Sequence, residues 1–268
     1  SADFGHTYYT GPYFKDSLYT QERLEPLDLA LKTALGSSND IGIVLCHARN
    51  ATGPTLGNHP FTFEYLGRTY SFMHNGYSNA TREIMISTIR QMNPGYDWFE
   101  QHPSNYFGDT DPNRWVDSEV LFHYIMSHII ARGGDTLDGM QRALARIRSY
   151  LLNTNSGVYN FVMSDGEKLY VFRSSPLSGP NASYRLSYKS FPGKFYGIRT
   201  QAPISGDKEL QPRELVVFSH TAEPVRYRDF PQVDFVEDPP ITHILRNRLE
   251  DVIPGLVISP NPSAGVAQ

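Results

Sequence analysis

The chain has 268 residues, with 24 Lys and Arg against 28 Asp and Glu for a formal net charge of -4. Its basic residues are scattered, so no positive field exists to hold nucleic acid or an anionic membrane surface. No apolar run approaches the roughly 18 residues that span a bilayer, and the single cysteine, Cys46, excludes an intrachain disulfide and any zinc site built on cysteines.

Hydrophobic residues make up 40% of the chain, enough for one large core or two modest ones, and 17 Tyr with 15 Phe favour a β-rich sandwich over a helical bundle. The opening Ser1 to His6 lacks the basic and apolar regions of a signal peptide, so a targeting segment is either absent or already removed. A short helix is expected over Leu24 to Leu35. The continuous run Ile41 to Cys46 (IGIVLC) reads as a buried strand, with Cys46 an inert core residue. Tyr70 to Met73 reads as a second short strand that ends in a turn at His74-Asn75-Gly76, because Asn-Gly is a turn signal.

Three helices are expected next. Asn79 or Thr81 can cap the first, which carries Ile84, Met85, Ile89 and Met92. After a loop from Asn93 to Trp115, Asp117 can cap the second, with Val120, Leu121, Tyr124, Ile125, His128 and Ile129 at 3/4 spacing. The third opens at Asp135 or Thr136 and presents Leu137, Met140, Leu144, Ile147 and Leu151. Beyond Asn155 the texture becomes β: strands are expected over Val158–Met163, Leu169–Arg173, Tyr184–Tyr188, Lys194–Ile198, Leu215–Phe218 and Val225–Arg228. Strands, helices and strands again suggest sheets packed between helical layers. The body of the protein is assigned to residues 1–235, followed by a Pro-rich extension over 236–268.

Polar residues gather at the ends of these elements. His47-Ala48-Arg49-Asn50-Ala51-Thr52-Gly53 follows the IGIVLC strand, Asn58-His59-Pro60-Phe61 comes next, His74-Asn75-Gly76 follows YSFM, and Asp117-Ser118-Glu119 opens a helix. An Arg at a strand end suits a carboxylate, and an Asp at a helix start suits an ammonium group. An Asn-Gly pair can offer a side-chain amide and a backbone N–H to one oxygen. Together they describe a site for an amino acid with a reactive side-chain amide, and glutamine fits. Singly, each has a plainer reading: a surface ion pair, a turn, a helix cap. His47, His59 and His74 lack helical i, i+4 spacing or a clear carboxylate partner, so neither a metal nor another cofactor is expected.

These segments, read as HARNATG (47–53), NHPF (58–61), FMHNG (72–76) and DSE (117–119), resemble in type and order the class II glutamine amidotransferases, especially the compact stand-alone type. The later strands over 160–175 and 214–224 are similar in character, so the likeness spans most of residues 41–228. The resemblance implies an α+β fold, the αββα four-layer sandwich of the N-terminal-nucleophile hydrolases, and a glutaminase that releases ammonia. It implies Arg49 for the glutamine carboxylate, Thr52 supporting the Arg49 loop, Asp117 for the ammonium group, and Asn75 with Gly76 for the oxyanion. His74 is carried over among the substrate-binding residues in a structural rather than a catalytic role.

The chain departs from the family at the nucleophile, an N-terminal cysteine whose own amine serves as base. Two readings stay open. Asp3-Phe4-Gly5-His6-Thr7-Tyr8-Tyr9 resembles a family strand that lies some way after that cysteine, which places the nucleophile on an upstream segment; alternatively Ser1 is itself the nucleophile. The expected partners are glutamine or a related amide, with either that upstream segment or an ammonia-accepting partner; the acceptor is absent or a separate protein. Rival functions are a binding module that kept the amino-acid pocket without the chemistry, and a Ser1-dependent amidohydrolase or peptidase. Residues 256–266 (LVISPNPSAGV) resemble the start of a type IX secretion sorting domain, which implies export; without that signal the expected location is cytoplasmic.

Overall fold

The computed structural model describes residues 59–236, apart from 106–107, 154, 177–183, 192–194, 201–202, 204 and 220–221. The helix expected over Leu24 to Leu35, the strand over Ile41 to Cys46, the tail from 237, and Ser1, Arg49 and Thr52 lie outside the described residues.

The first structural unit is a hairpin that the sequence reading only half resolved. Strands β1 (Phe61–Tyr65) and β2 (Arg68–Tyr77) pair antiparallel through the loop Leu66–Gly67, where both residues have positive φ. The turn expected at His74-Asn75-Gly76 is a correction: β2 runs straight through it. Strand β3 (Val158–Ser164) supplies the reason, pairing Asn75 with Asn160, Gly76 with Tyr159 and Tyr77 with Val158. Local turn preference yields here to a long-range ladder. Gly76 serves the ladder by its missing side chain, since an added Cβ would lie 2.0 Å from the Val158 carbonyl oxygen.

Strands β4 (Lys168–Arg173), β8 (Glu214–Ser219) and β9 (Val225–Tyr227) extend this sheet in the order β1-β2-β3-β4-β8-β9, antiparallel throughout. Its pleat sorts the side chains. Phe61, Phe72, Phe161, Phe172 and Leu215 enter one core, while Val162, Val171, Val216 and Phe218 enter the other. Because both faces are covered, β3 is buried along its whole length.

Helices cover the first face. A 3₁₀ turn (Asn79–Thr81) leads into α1 (Arg82–Met92); α2 (Trp98–Gln101) interrupts the loop that was expected to be irregular, its start capped by the Asp97 carboxylate. Helices α3 (Asp117–Ala131), α4 (Thr136–Arg146) and α5 (Arg148–Leu152) complete the layer. The stripe expected on α3 understates it, for every residue from Ser118 to Ala131 is buried, between α1, α4 and the sheet. Fully buried Leu121, Phe122, Ile125, Met126 and Ile129 each contribute about 1.5–3 kcal/mol of gross burial. Helix α4 starts as expected, with Asp135 accepting from the Asp138 N–H at 3.0 Å, and the stripe through Leu151 is broken at Ile147 between two helices.

The opposite face carries a second sheet, in which β5 (Ser187–Phe191) lies between β6 (Phe195–Arg199) and the two-residue β7 (Lys208–Glu209). Leu186, Tyr188 and Leu210 press onto Val162, Val171, Val216 and Phe218. Strand β5 begins three residues later than the expected Tyr184, because the Tyr184 carbonyl is already taken by the side chains of Asn160 and Ser175. Helices, six-stranded sheet and three-stranded sheet thus stack as layers of an α+β sandwich.

Candidate functional site

The end of β2 and the start of α3 meet, and short polar contacts join them. His74 lies on the helix side of β2, only 3% exposed. Its Nε2 is 2.8 Å from the Val158 carbonyl oxygen and its Nδ1 is 2.9 Å from Ser118 Oγ. A carbonyl can only accept, so Nε2 carries the proton, and in the neutral ring Nδ1 accepts from the serine hydroxyl. Burial holds the His74 pKa below the usual histidine range, against a smaller upward pull from Asp117, and so favours this neutral form. Four residues on, the Ser78 N–H donates to Asp117 Oδ2 at 2.6 Å and the Ser78 hydroxyl donates to the Asp117 carbonyl at 3.2 Å.

Asp117 is the first residue of α3, with Val116 at the cap position. It was expected to cap the helix. Its Oδ1 does accept from the Ser118 N–H at 2.9 Å, while Oδ2 faces β2. The carboxylate therefore sits at the positive end of a fifteen-residue helix, fixed by backbone donors on two sides. Its remaining lone pairs can take a cation.

The strap before α3 is tied down twice. Glu119, 1% exposed, accepts from Ser104 Oγ at 2.8 Å and from the Asn105 N–H at 2.5 Å, and the Asn105 side chain accepts from the Thr62 N–H at 2.6 Å. Burial raises the Glu119 pKa, and these two hydrogen bonds act against the rise. At the other end Arg82 donates to the carbonyls of Pro112 at 2.9 Å and Trp115 at 3.0 Å. These contacts bring Asp117 to a fixed place beside β2.

On the opposite face of β2 the pleat places Asn75 between Met73, which packs in the inter-sheet core, and Tyr77, whose ring meets that of Tyr184 at 6.3 Å. Asn75 is half-buried, and directly across the ladder lies Asn160, fully buried. The Asn160 amide donates to Ser175 Oγ at 3.1 Å and to the Tyr184 carbonyl at 2.8 Å. Its oxygen accepts from the Ser174 and Ser175 N–H groups at 2.9 and 3.1 Å. Beside it Arg173, 0% exposed, is neutralised by Glu209 at 2.6 Å and donates to the carbonyls of Ser175, Pro176 and Leu210. This network fixes the floor beneath Asn75. Along the other edge of β2, β1 pairs only as far as Phe72, so the stretch from Met73 to Tyr77 has no second partner strand among the described residues. Alternate residues there direct backbone groups outward.

Of the residues nominated from sequence, Asn75, Gly76, His74 and Asp117 come together at this junction, while Arg49, Thr52 and Ser1 lie outside the described residues. Both ring nitrogens of His74 are committed to partners within the protein, Ser118 and Val158. Ser78, Glu119 and Asn160, whose hydrogen bonds hold the surroundings of the junction, were given no role from sequence. Asn160 left a readable trace, a polar residue in the middle of the buried run VYNFVMS, and Glu119 closes the DSE motif; Ser78 left none beyond its place after the FMHNG motif. Among the described residues no group of three or more His, Cys, Asp or Glu is placed to hold a metal ion, and no described helix is long and apolar enough to cross a membrane.

No curated protein matches the chain. Among solved structures, it is similar to a glutamine aminotransferase class-II domain protein from Silicibacter pomeroyi, with 18% identity over 60% of this chain and 68% of that one, at a TM-score of 0.42. A predicted glutamine amidotransferase from Pseudomonas aeruginosa PA01 matches at 19% identity over 62% of this chain and 63% of that one, TM-score 0.37. The glutamine phosphoribosylpyrophosphate amidotransferase of B. subtilis matches at 18% identity and TM-score 0.43, over 70% of this chain but only 35% of that enzyme's length. Residues 37–182, more than half of the chain, match the model of the family described as glutamine amidotransferases class-II. That span holds His74, Asn75, Gly76 and Asp117 together with the motif around Arg49, and the chain belongs to the class-II glutamine amidotransferases.

Proposed function

We propose that the protein hydrolyses the side-chain amide of glutamine and releases ammonia. The observation that supports this reading most is the Asp117 carboxylate, set by the Ser78 and Ser118 N–H groups at a helix N-terminus beside Asn75 and Gly76. The α-ammonium group of glutamine binds Asp117, and Arg49 takes the α-carboxylate. An N-terminal nucleophile attacks the amide carbon, and the oxyanion that forms accepts from the Asn75 side-chain amide and the Gly76 N–H. The tetrahedral intermediate collapses, the C–N bond breaks, and the nitrogen leaves as ammonia with the proton taken from the nucleophile. Water then attacks the acyl-enzyme, giving glutamate and free nucleophile. The nucleophile is a cysteine on a segment upstream of Asp3, and the tail directs export.

Intact mass and N-terminal sequencing of the native protein, followed by a glutaminase assay on the same sample, test the reading. The expected result is a segment beginning with Cys and glutamate release abolished by Arg49→Ala. Asp117→Asn is expected to raise KM roughly 10- to 100-fold, the loss of about 1.5–3 kcal/mol for a charged hydrogen bond. Glutamine binding without ammonia release would defeat the proposal and leave a binding module.

A further inference from the structure

Four residues close a circuit around the Asn75 side chain. Asn75 faces Asn160 across the ladder, and the Asn160 amide donates to the Tyr184 carbonyl at 2.8 Å. The Tyr184 ring meets the Tyr77 ring in a T-shaped contact with centroids 6.3 Å apart, and Tyr77 stands two residues beyond Asn75 on the same face of β2. Asn160 is fully buried, whereas Asn75, Tyr77 and Tyr184 are half-buried. The circuit is therefore closed beneath, while its other three members keep part of their surface accessible.

The two ends of this stretch of β2 differ. Toward its start, Met73 packs into the inter-sheet core. Toward its end, Ser78 directly follows Tyr77 and gives its N–H to Asp117 Oδ2 at 2.6 Å. A substrate held by its ammonium group at Asp117 therefore passes Tyr77 to present its amide to Asn75. A bare amide ends there. A group on the amide nitrogen has two ways to go, into the packed core beside Met73 or against the two rings. The rings stand on backbone that is itself held. The Tyr184 carbonyl accepts from both Asn160 and Ser175 Oγ, and the Tyr77 carbonyl oxygen would lie 2.7 Å from a Cβ on Gly157.

Resting on the glutaminase reading above, we infer that Tyr184, braced against Tyr77, is a specificity-determining residue that restricts the reaction to amides with an unsubstituted nitrogen. The selection works by exclusion, since the rings occupy the room a substituent would need. The substrate class is then a free amino acid with a primary side-chain amide, and the nitrogen leaves as ammonia rather than as an amine. Tyr184→Ala removes the ring but keeps the carbonyl that Asn160 and Ser175 use, so it separates the wall of the site from its floor.

The test follows glutamate release by the native full-length protein and its Tyr184→Ala and Tyr184→Phe variants. Two substrates are compared, glutamine and glutamine carrying an ethyl group on its side-chain nitrogen, which yields glutamate and ethylamine. Wild type is expected to favour glutamine by roughly 100-fold or more in kcat/KM, the upper range for a one-carbon mismatch in a pocket. Tyr184→Ala should narrow the ratio to within about tenfold through a gain on the substituted amide, which mere damage to the fold would not produce. Tyr184→Phe, which keeps the ring, should keep the wild-type ratio. A folded alanine variant with the wild-type ratio overturns the inference, and so does a wild type that hydrolyses both amides equally well. If alanine prevents folding, a folded Tyr184→Val variant decides by the same ratio. A wild type that releases no glutamate from glutamine marks failure of the glutaminase reading, and calorimetric binding of the two amino acids then decides the role of Tyr184. The alanine variant should bind the ethyl amide at least about tenfold more tightly than wild type does; equal affinity overturns the inference.

Discussion

Gly76→Ala concentrates the geometry of the junction into one methyl group. The new Cβ would lie 2.0 Å from the Val158 carbonyl oxygen and 2.7 Å from its carbon, both backbone atoms that no rotamer change can move. Relief to ordinary contact, which begins at 3.4 Å, requires the two atoms to part by about 1.4 Å, and overpacking of this kind costs about 1–3 kcal/mol. The same separation weakens the bond from His74 to that carbonyl, a buried pair whose loss costs about 1–3 kcal/mol. The sum, about 2–6 kcal/mol, is a large part of a typical stability of roughly 5–15 kcal/mol. At about 2–4 °C per kcal/mol for a chain of this size, the melting temperature should fall by roughly 5–20 °C. Differential scanning calorimetry of the purified variant reads this directly, with urea unfolding as a second probe. A variant that melts within 2 °C of wild type (roughly the effect of half a kcal/mol) would refute the claim that the Val158 carbonyl closes over Gly76.

Two further perturbations act away from Gly76. His123 is 1% exposed and accepts from Trp98 Nε1 at 3.1 Å; burial pushes its pKa down to about 3, with His102 adding to the fall. Its folded pKa lies below the unfolded value of about 6.5, so the unfolded chain takes up protons first and stability should fall as pH drops from about 6.5 toward 3, by about 1.4 kcal/mol per unit at the steepest. His74, lowered in the same direction, adds to this slope; urea midpoints that stay flat across the range would rule out a neutral, buried His123. Asn160→Ala removes four hydrogen bonds from a fully buried site and leaves two N–H groups and a carbonyl without that partner. It is expected to cost about 2–4 kcal/mol in chemical denaturation; a loss under about 0.5 kcal/mol, the scale of an ordinary surface change, would mean that water replaces the side chain.

What the sequence disclosed follows from the range of the forces involved. Helices α3 and α4 were legible because their apolar spacing is set within a turn or two of the chain, and β3, β4 and β8 because sheets covered on both faces demand continuous apolar runs. The turn predicted at Asn75-Gly76 failed because its local preference was overruled by β3, some eighty residues away. Strand β1 was passed over although Phe61 and Phe63 alternate with polar neighbours, and β7, with two residues, has no pattern to find. The same holds for the site. Asp117, Asn75 and Gly76 could be nominated from motifs, whereas the hydrogen bonds made by Ser78, Asn160 and even the motif residue Glu119 reach across 14 to 39 positions of sequence.

The burial of α3 on every side has a consequence for how this protein can diversify. A helix enclosed from Ser118 to Ala131 cannot turn or slide without opening the core, so the carboxylate at its head is as immobile as the core itself. The described part of the strap before it is held by the carboxylate of Glu119, the guanidinium of Arg82 and the Asp109 carbonyl, which accepts from the Ser104 N–H at 2.9 Å and the Trp115 indole at 2.8 Å. Changes at the exposed positions Asn113 and Arg114 can therefore accumulate while the Asp117 carboxylate stays where it is. Related chains should differ more in the strap than at the head of this helix.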